Sequence, residues 1–272
     1  MRVIITGASG ILGSAVYKAY KAAGHEVLGL ANSRPTGELK KLDLLDSAEV
    51  ERVFMGFKPD WVIHCAAERR PDVAEKNPEG AQQLNVGVPE HLAKTAKALK
   101  FTLVYISTDY RDGELAVLGV VDARAIVLRV PVLYGPAPNN ADTAVNILLD
   151  VVADQSGKQY KMDHYATRYP TCVVDIADFL VRLSSLPASK AIPPILHYSA
   201  SEPFTKYEMC LILSRLLGVP HSHIIPDAEA PTGDAATTRP RDCQLYTRET
   251  EDLMEGQGGL GWTPFEEWWQ EY

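Results

Sequence analysis

Three glycines, Gly7, Gly10 and Gly13, follow a short apolar segment directly and open an amphipathic helical pattern. This spacing between a strand and a helix is typical of the turn that holds the phosphates of a dinucleotide. The first glycine permits a sharp turn, the second lets the backbone approach a pyrophosphate, and the third lets the helix pack closely on the strand. The free amides at the helix start attract the phosphates. The alternative is an ordinary glycine-rich turn without a ligand.

The first half of the chain alternates short β-branched segments with longer helical patterns. This alternation predicts βαβ units and therefore a Rossmann-type α/β fold with a doubly wound parallel sheet. From Pro131 onward the pattern loosens, which predicts a smaller C-terminal α+β lobe over the carboxyl ends of the strands. We expect a Rossmann domain at 1–133, which takes back 171–197, and the lobe at 134–272. The predicted strands are 2–6, 26–30, 39–43, 61–64, 102–106 and 125–129, and the predicted helices are 12–23, 47–57, 80–99, 142–154, 175–186 and 205–217.

Charge and cysteine content exclude several classes of protein. The chain carries 27 basic and 35 acidic residues among 272, a formal net charge of −8 that argues against a nucleic-acid binder. The four cysteines are far apart and form no CxxC pair, so neither a zinc site nor a disulfide framework is indicated. The apolar stretch near the N-terminus is too short for a signal peptide or a membrane span. We expect a cytoplasmic protein without a metal and without membrane contact.

The segment after the second predicted strand indicates which dinucleotide binds. A site specific for NAD usually offers a carboxylate to the ribose hydroxyls there, whereas this chain has Asn32, Ser33 and Arg34. A guanidinium beside hydroxyl and amide groups suits a ribose 2′-phosphate, so NADP(H) is favoured over NAD(H). The alternative for Arg34 is a solvated loop arginine. Asp43 and Leu44, at the end of the third predicted strand, are expected to bracket the adenine, unless Asp43 caps the strand end.

Several sequence blocks across the chain carry a family resemblance. One reads HCAAERRPDV at 64–73, and another reads MDHY at 162–165. On these two blocks the chain resembles the regulatory beta subunits of methionine adenosyltransferase, which are relatives of the bacterial dTDP-4-dehydrorhamnose reductases. Further blocks of the same resemblance are QLNV at 83–86, ISTDY at 106–110, LRVPVLYG at 128–135, RYPT at 168–171, TKYEM at 205–209 and RPRD at 239–242.

The resemblance implies an extended short-chain dehydrogenase that binds NADP(H) and associates with the catalytic subunit of methionine adenosyltransferase. It also implies that the C-terminal segment 266–272 engages this partner; the alternative is that Trp268 and Trp269 tuck a terminal helix onto the lobe. For Arg168, the alternative is a structural arginine bonded to loop carbonyls. The cofactor contacts carried over onto this chain are Gly7, Ser9, Gly10, Ile11, Leu12, Gly13, Asn32, Ser33, Arg34, Asp43, Leu44, Cys65, Ala66, Leu133 and Arg168.

The chemistry of the reductases needs a serine or threonine, a tyrosine that exchanges a proton with the substrate oxygen, and a lysine four residues after the tyrosine. That pair is missing at its expected place, because Tyr110 is followed at once by residues that resemble the end of its helix without the beginning. Either the sequence omits residues that the molecule contains, or the chain is a shortened natural form. Tyr17 is not expected to replace the missing tyrosine. We interpret Ser107, Thr108 and Asp109 as remnants of a catalytic site.

Three functions are compatible with these features. The first is a regulatory subunit, non-catalytic or weakly catalytic, that binds NADP(H) and adjusts a methionine adenosyltransferase. The second is an NADPH-dependent reductase of a nucleotide-linked keto sugar, as in the dTDP-4-dehydrorhamnose reductases. The third is a Rossmann module that its cofactor merely stabilises. The missing Tyr-x-x-x-Lys and the blocks of the regulatory branch favour the first function.

Overall fold

The computed structural model describes residues 1–68, 75–107, 111–230 and 240–272. The strands in this part of the chain are β1 (Arg2–Thr6), β2 (Glu26–Ala31), β3 (Lys40–Lys41), β4 (Trp61–His64), β5 (Thr102–Ser107), β6 (Ala125–Arg129), β7 (Leu133–Tyr134), β8 (Tyr160–Asp163), β9 (Thr171–Cys172), β10 (Ile195–His197) and β11 (Ile224–Asp227). Seven of them form a parallel sheet in the order β10-β6-β5-β4-β1-β2-β3, and β11-β8 and β7-β9 form two separate pairs. The predicted doubly wound α/β fold is confirmed.

Helices connect the strands and cover both faces of the sheet. None of the described helices is long and apolar enough to cross a membrane. The helices are α1 (Ile11–Ala22), α2 (Ser47–Phe57), α3 (Pro78–Gln82), a π-helix (Gln83–Gly87), α4 (Val88–Leu99), α5 (Arg111–Leu118), a 3-10 helix (Asn140–Asp142), α6 (Ile147–Ala153), α7 (Val173–Ser184), α8 (Lys206–Leu217), α9 (Arg248–Leu253) and α10 (Phe265–Glu271).

The sheet reverses its strand order beside β1. Thr6, at the carboxyl end of β1, is in register with Leu30 on one side and with His64 on the other. In open α/β sheets the ligand lies in the crevice beyond the carboxyl ends of the strands, at the point where the order reverses. The fold therefore places the glycine turn, which follows Thr6, at the position where such folds bind their ligands.

Two predicted helices differ from those observed by more than a shift of one or two residues. The predicted helix 80–99 consists of α3, the π-helix and α4, which follow one another without a break. The predicted helix 142–154 begins only at Ile147, because the hydroxyl of Thr143 accepts hydrogen bonds from the Val145 and Asn146 amides and holds a turn before it. The Asn146 side chain in turn donates to the Gly135 oxygen at 2.8 Å. This buried group of bonds stops the helix from extending backwards.

Later parts of the chain return to the sheet. β10 adds a seventh strand beside β6. α7 packs against α1, and the buried Tyr20 hydroxyl donates to the Leu180 oxygen at 2.8 Å. A separate apolar cluster around Tyr134, Leu148 and Leu213 forms the interior of the C-terminal part. The domain boundary at residue 133 stays a prediction.

The C-terminal helix α10 is anchored by its aromatic residues. Phe265 and Trp269 are buried against Tyr134, with ring centroids 5.1 and 5.7 Å from the tyrosine ring. Trp268 packs edge-on against the same ring at 5.2 Å. This arrangement is the structural alternative given above for the C-terminal segment. Contact between the segment and a partner protein stays a prediction.

Candidate functional site

The turn between β1 and α1 is shaped by its glycines. Gly7 has a φ of +67°, a left-handed conformation that favours glycine, and a Cβ there would lie 2.7 Å from the Ala66 nitrogen. A Cβ on Gly13 would lie 2.1 Å from the Gly7 oxygen, so the helix and the turn approach each other too closely for a side chain. At Gly10 the only described atom within 4 Å of a Cβ is the Gly7 oxygen, at 3.2 Å. The outer side of Gly10 is therefore open.

The backbone holds this turn against the sheet. The Ala8 amide donates to the Leu30 oxygen at 3.0 Å, and the Gly10 amide donates to the Gly7 oxygen at 2.9 Å. α1 begins at Ile11, so the amides of its first turn lack a carbonyl partner one turn earlier in the same helix. The positive end of the helix dipole lies at the crevice. The first turn of α1, with Ile11, Leu12 and Gly13, is thus suited to an anion, and Ser9 lies half-buried at its entrance.

The residues expected at the ribose follow β2. Asn32, Ser33 and Arg34 are exposed beyond its carboxyl end. The Arg34 guanidinium forms an ion pair with Asp142, at 3.4 Å between Nη1 and Oδ1. Asp142 is 108 residues away in the sequence, on the 3-10 helix. Sequence reasoning missed this carboxylate, because no local pattern connects the two segments.

The residues expected at the adenine lie beyond β3. One carboxylate oxygen of Asp43 accepts a hydrogen bond from the Leu45 amide at 3.0 Å. This bond matches the alternative role of Asp43 as a cap of the strand end. Leu44 is buried and packs in the core between the sheet and α2. The contact of Asp43 and Leu44 with an adenine stays a prediction.

Cys65 and Ala66 follow β4 and lie beside the glycine turn. The Cys65 amide donates to the Thr6 oxygen at 3.2 Å, and the Ala66 backbone lies against Gly7. Burial raises the pKa of the Cys65 thiol to about 12, because an apolar surrounding disfavours the thiolate. The thiolate, which is the reactive form of a cysteine, is therefore disfavoured at Cys65.

Leu133 and Arg168 lie farther along the chain. Leu133 is in β7 and packs, partly buried, against the core of the sheet. The Arg168 guanidinium donates to the Thr167 oxygen at 2.9 Å and to the Pro240 oxygen at 3.2 Å. These are the bonds of a structural arginine between two loops, as in the alternative given for it.

Ser107 belongs to a polar network at the carboxyl ends of β5, β6 and β10. Ser107 is in register with Arg129, and Arg129 is in register with His197. The Ser107 hydroxyl donates to Glu114 on α5 at 2.6 Å, and Arg129 binds both oxygens of the same carboxylate at 2.8 and 2.5 Å. The Arg129 guanidinium also contacts His197, whose other ring nitrogen lies 2.8 Å from the Tyr246 oxygen.

The electrostatics of this network follow from its bonds. Burial alone would raise the pKa of Glu114, but hydrogen bonds from Arg129 and Ser107 outweigh it and lower the pKa. The Ser107 hydroxyl is thus held by a carboxylate that stays charged. Thr108 and Asp109, the other two catalytic remnants, lie outside the described residues, as does Tyr110.

The helix α5 lies in the crossover between β5 and β6. A Cβ on Gly113 would lie 2.3 Å from the Tyr105 hydroxyl and 2.6 Å from the Asn85 oxygen, so α5 packs very closely on β5 and the π-helix. Burial raises the pKa of Tyr105 to about 12. Tyr105 is therefore a poor proton donor near neutral pH.

Tyr17 and Lys21 have the spacing of the catalytic pair but lie in another part of the fold. Tyr17 and Lys21 lie on α1 and both bind the carboxylate of Glu38, the tyrosine at 3.1 Å. Tyr17 lies over β2, where its ring would be 2.9 Å from a Cβ on Gly29. The pair serves to hold the loop after β2 and lies on a different connection from the crossover after β5.

Comparison with known proteins places this geometry in a family. The family of the RmlD substrate binding domain matches residues 1–111 and 111–260. The beta subunit of methionine adenosyltransferase 2 from Xenopus tropicalis is 40% identical over 97% of this chain and 84% of its own length. The corresponding protein from Rattus norvegicus is 37% identical over the same shares. The chain belongs to the methionine adenosyltransferase 2 subunit beta family.

More distant relatives of the family support the fold. A dTDP-4-dehydrorhamnose reductase from Streptomyces griseus is 27% identical over 88% of this chain and 82% of its own length. The crystal structure of a dTDP-4-dehydrorhamnose reductase from Bacillus anthracis, in complex with NADP, has a TM-score of 0.80. The two sequences are 20% identical, and the superposition covers 100% of this chain and 96% of the reductase chain. At this identity the likeness shows the shared Rossmann-type fold.

The family match falls into two parts. The two parts of the family match meet at residue 111, where α5 begins. The alignment with the Xenopus tropicalis protein has 290 positions, whereas 97% of the 272 residues is about 264. About 26 positions of that alignment therefore face a gap in this chain. Together these positions equal the length of a helix of several turns.

Proposed function

We propose that this chain is a regulatory subunit of methionine adenosyltransferase, non-catalytic or weakly catalytic, that binds NADP(H). The observation that carries the proposal is the 40% identity, over 97% of the chain, with a protein named as the beta subunit of methionine adenosyltransferase 2. Its partner is then the catalytic subunit of that enzyme. A cytoplasmic location accompanies the proposal, since none of the four cysteines, all of them among the described residues, forms a disulfide.

The shape of the glycine turn supports a bound dinucleotide. A Cβ would fill the open side of Gly10, so the missing side chain leaves room for a pyrophosphate against the backbone. The first turn of α1 would hold the phosphates, and Arg34 would bind a 2′-phosphate on the ribose. When bound, NADPH supplies a hydride. The chain's residues fit the nucleotide end of the cofactor, which is enough for a stabilising or regulatory ligand.

Weak or absent reduction is supported by the proton donors that the described residues offer at the end of β5. The Ser107 hydroxyl donates to Glu114, and Tyr105 has a raised pKa, so neither is a ready proton donor to a substrate oxygen. General acid catalysis usually contributes about 10²–10⁴-fold to a rate. We infer that reduction of a keto sugar would be slower by about that factor than in a reductase with its tyrosine and lysine.

A reductase of a nucleotide-linked keto sugar is the second candidate. It is favoured by the 27% identity with the Streptomyces griseus protein named dTDP-4-dehydrorhamnose reductase. This candidate needs a proton donor for the substrate oxygen at the carboxyl end of β5. The regulatory function needs none, which is why we prefer it.

The experiment combines association with activity. The chain is mixed with a methionine adenosyltransferase catalytic subunit and run on gel filtration, and the rate of S-adenosylmethionine formation is measured against methionine concentration. We expect a joint peak and a changed dependence on methionine. Reduction of dTDP-4-dehydrorhamnose is measured in parallel with NADPH. Rapid reduction without a joint peak would overturn the regulatory function in favour of the reductase.

A further inference from the structure

The ion pair between Arg34 and Asp142 lies at the place where these folds distinguish their cofactors. A carboxylate after β2 binds the ribose hydroxyls of NAD, and a cation there binds the 2′-phosphate of NADP. The three residues directly after β2 include a cation but no carboxylate. The structure adds a carboxylate from the 3-10 helix, 3.4 Å from the Arg34 guanidinium. Both kinds of group are therefore present at this position.

The position of Asp142 is fixed by its surroundings. The Asp142 amide donates to the Asn139 oxygen at 3.0 Å and closes the 3-10 helix. On the other side, Thr143 is buried and its hydroxyl binds the Asn146 amide at 2.7 Å. The Asn140 side chain donates to Asp150 on α6 at 2.7 Å. The carboxylate is thus presented by a well-held segment, and its side chain is only 22% exposed.

Arg34 is held much less firmly than its partner. It lies in the loop after β2, and its side chain is 53% exposed. Arg34 can therefore turn toward another anion at little cost, whereas Asp142 cannot follow it. A 2′-phosphate carries more charge than a carboxylate and forms the same kind of forked hydrogen bonds with a guanidinium. The phosphate and Asp142 would compete for the same cation.

We propose that Asp142 is a cofactor-specificity residue, which competes with the ribose 2′-phosphate for Arg34 and so narrows the preference of the chain for NADP(H) over NAD(H). The inference rests on the proposed binding of NADP(H). A dinucleotide without the 2′-phosphate leaves the ion pair between Arg34 and Asp142 intact. NADP(H) has to separate Arg34 from Asp142 before its 2′-phosphate can bind the guanidinium. Because Asp142 belongs to the segment before α6, the pair also links the identity of the cofactor to the C-terminal part of the chain.

The expected size of the effect is modest. The pair is partly exposed, and pairs of this kind contribute little after screening by water and salt. Removing the competing carboxylate should therefore strengthen NADP(H) binding by about two- to fivefold. The affinity for NAD(H) should stay the same or fall slightly, because Asp142 is then lost as an acceptor for the ribose hydroxyls. The ratio of the two dissociation constants is the quantity to measure.

The test compares Asp142→Asn with the unchanged chain, by calorimetric titration with NADPH, NADH, 2′,5′-ADP and 5′-AMP. We expect two ratios of dissociation constants to rise together by about two- to fivefold. One is the constant for NADH divided by that for NADPH, and the other is the constant for 5′-AMP divided by that for 2′,5′-ADP. In a chain that carries Arg34→Ala, the further change Asp142→Asn should leave both ratios unchanged. Asp142→Ser is a second replacement without the charge, and it should shift the ratios in the same direction.

The matched control is Glu49→Gln on α2, which removes a carboxylate that is 28% exposed and binds Arg52, not Arg34. It should leave the ratios unchanged. If the ratios shift equally in this control, the net charge of the protein explains the effect, and the proposed role of Asp142 is overturned. Unchanged ratios in Asp142→Asn would also overturn it, with NADPH binding intact. If the unchanged chain binds neither dinucleotide, the proposed cofactor itself is wrong, and the specificity role is wrong with it.

Discussion

The buried carboxylate of Glu114 allows a quantitative test of how the shortened crossover is held. The Glu114 side chain is 6% exposed and binds Arg129 and Ser107, which join α5 to the ends of β6 and β5. Glu114→Gln keeps the shape of the side chain but leaves the Arg129 charge without its counter-charge. Breaking a fully buried pair costs about 3–5 kcal/mol. Since the Arg129 side chain is 32% exposed and can reach water, we expect a loss of about 2–3 kcal/mol in the free energy of unfolding.

This loss should appear as a fall in melting temperature of roughly 5–10 °C for a chain of this size. Circular dichroism and urea unfolding at pH 7 measure it. The matched control is Glu38→Gln, which removes a carboxylate that also binds a cation but is 73% exposed, and which should leave the melting temperature almost unchanged. If the two variants lose the same stability, burial is not what makes the Glu114 network important.

The pH dependence of the same pair has a definite sign. The folded chain lowers the pKa of Glu114, so the charged carboxylate contributes stability that is fully present above the unfolded pKa of about 4.3 and is lost as the pH falls through the folded pKa. The unfolding free energy of Glu114→Gln lacks this contribution. The difference between the unchanged chain and the variant should therefore be constant near pH 7 and shrink below about pH 4. A difference that grows in acid would contradict the reasoning.

Three further predictions concern the glycine turn and the cysteines. Gly10→Val should abolish calorimetric binding of NADPH by placing a side chain on the open side of the turn, while circular dichroism shows an unchanged fold. Gly13→Ala should destabilise the chain by about 1–3 kcal/mol in urea unfolding, because its Cβ would lie 2.1 Å from the Gly7 oxygen; an unchanged midpoint would show that the turn relaxes. Cys65, with a pKa raised to about 12, should be alkylated by iodoacetamide at pH 8 at least about a hundredfold more slowly than a cysteine in a short peptide, as followed by peptide mass spectrometry.

Patterns of apolar and polar residues predicted those strands whose ends depend on neighbouring residues in the sequence. The strands 2–6, 61–64 and 125–129 were predicted with the bounds observed, because their apolar segments are bordered by turns or polar residues. The start of α6 was not predicted correctly. Thr143 and Asn146 fit a helical pattern in the sequence, and only their hydrogen bonds in the folded chain place them in a turn. Helix propensity describes the conformational preference of a residue by itself. The conformation of these two residues is set instead by hydrogen bonds with their neighbours.

The candidate site divides in the same way. The glycine turn could be predicted because its function depends on consecutive residues and the strand before them. The pairing of Arg34 with Asp142, and the network of Ser107 with Arg129, depend on strand register and on segments far apart in the chain. Register across a sheet is not visible in one sequence, so the charges that surround a predicted site residue could not be known beforehand.

The short connection between β5 and β6 has a consequence for the entropy of the chain. Joining two paired strands through a flexible loop costs entropy that grows only with the logarithm of the loop length, about 0.6 kcal/mol for each doubling. A crossover longer by about 26 positions would therefore alter the closure of the β5–β6 pair by less than about 1 kcal/mol. The sheet is nearly indifferent to the length of this segment. In such a protein, a helix that carries proton-transfer groups can be gained or lost while the architecture around it persists.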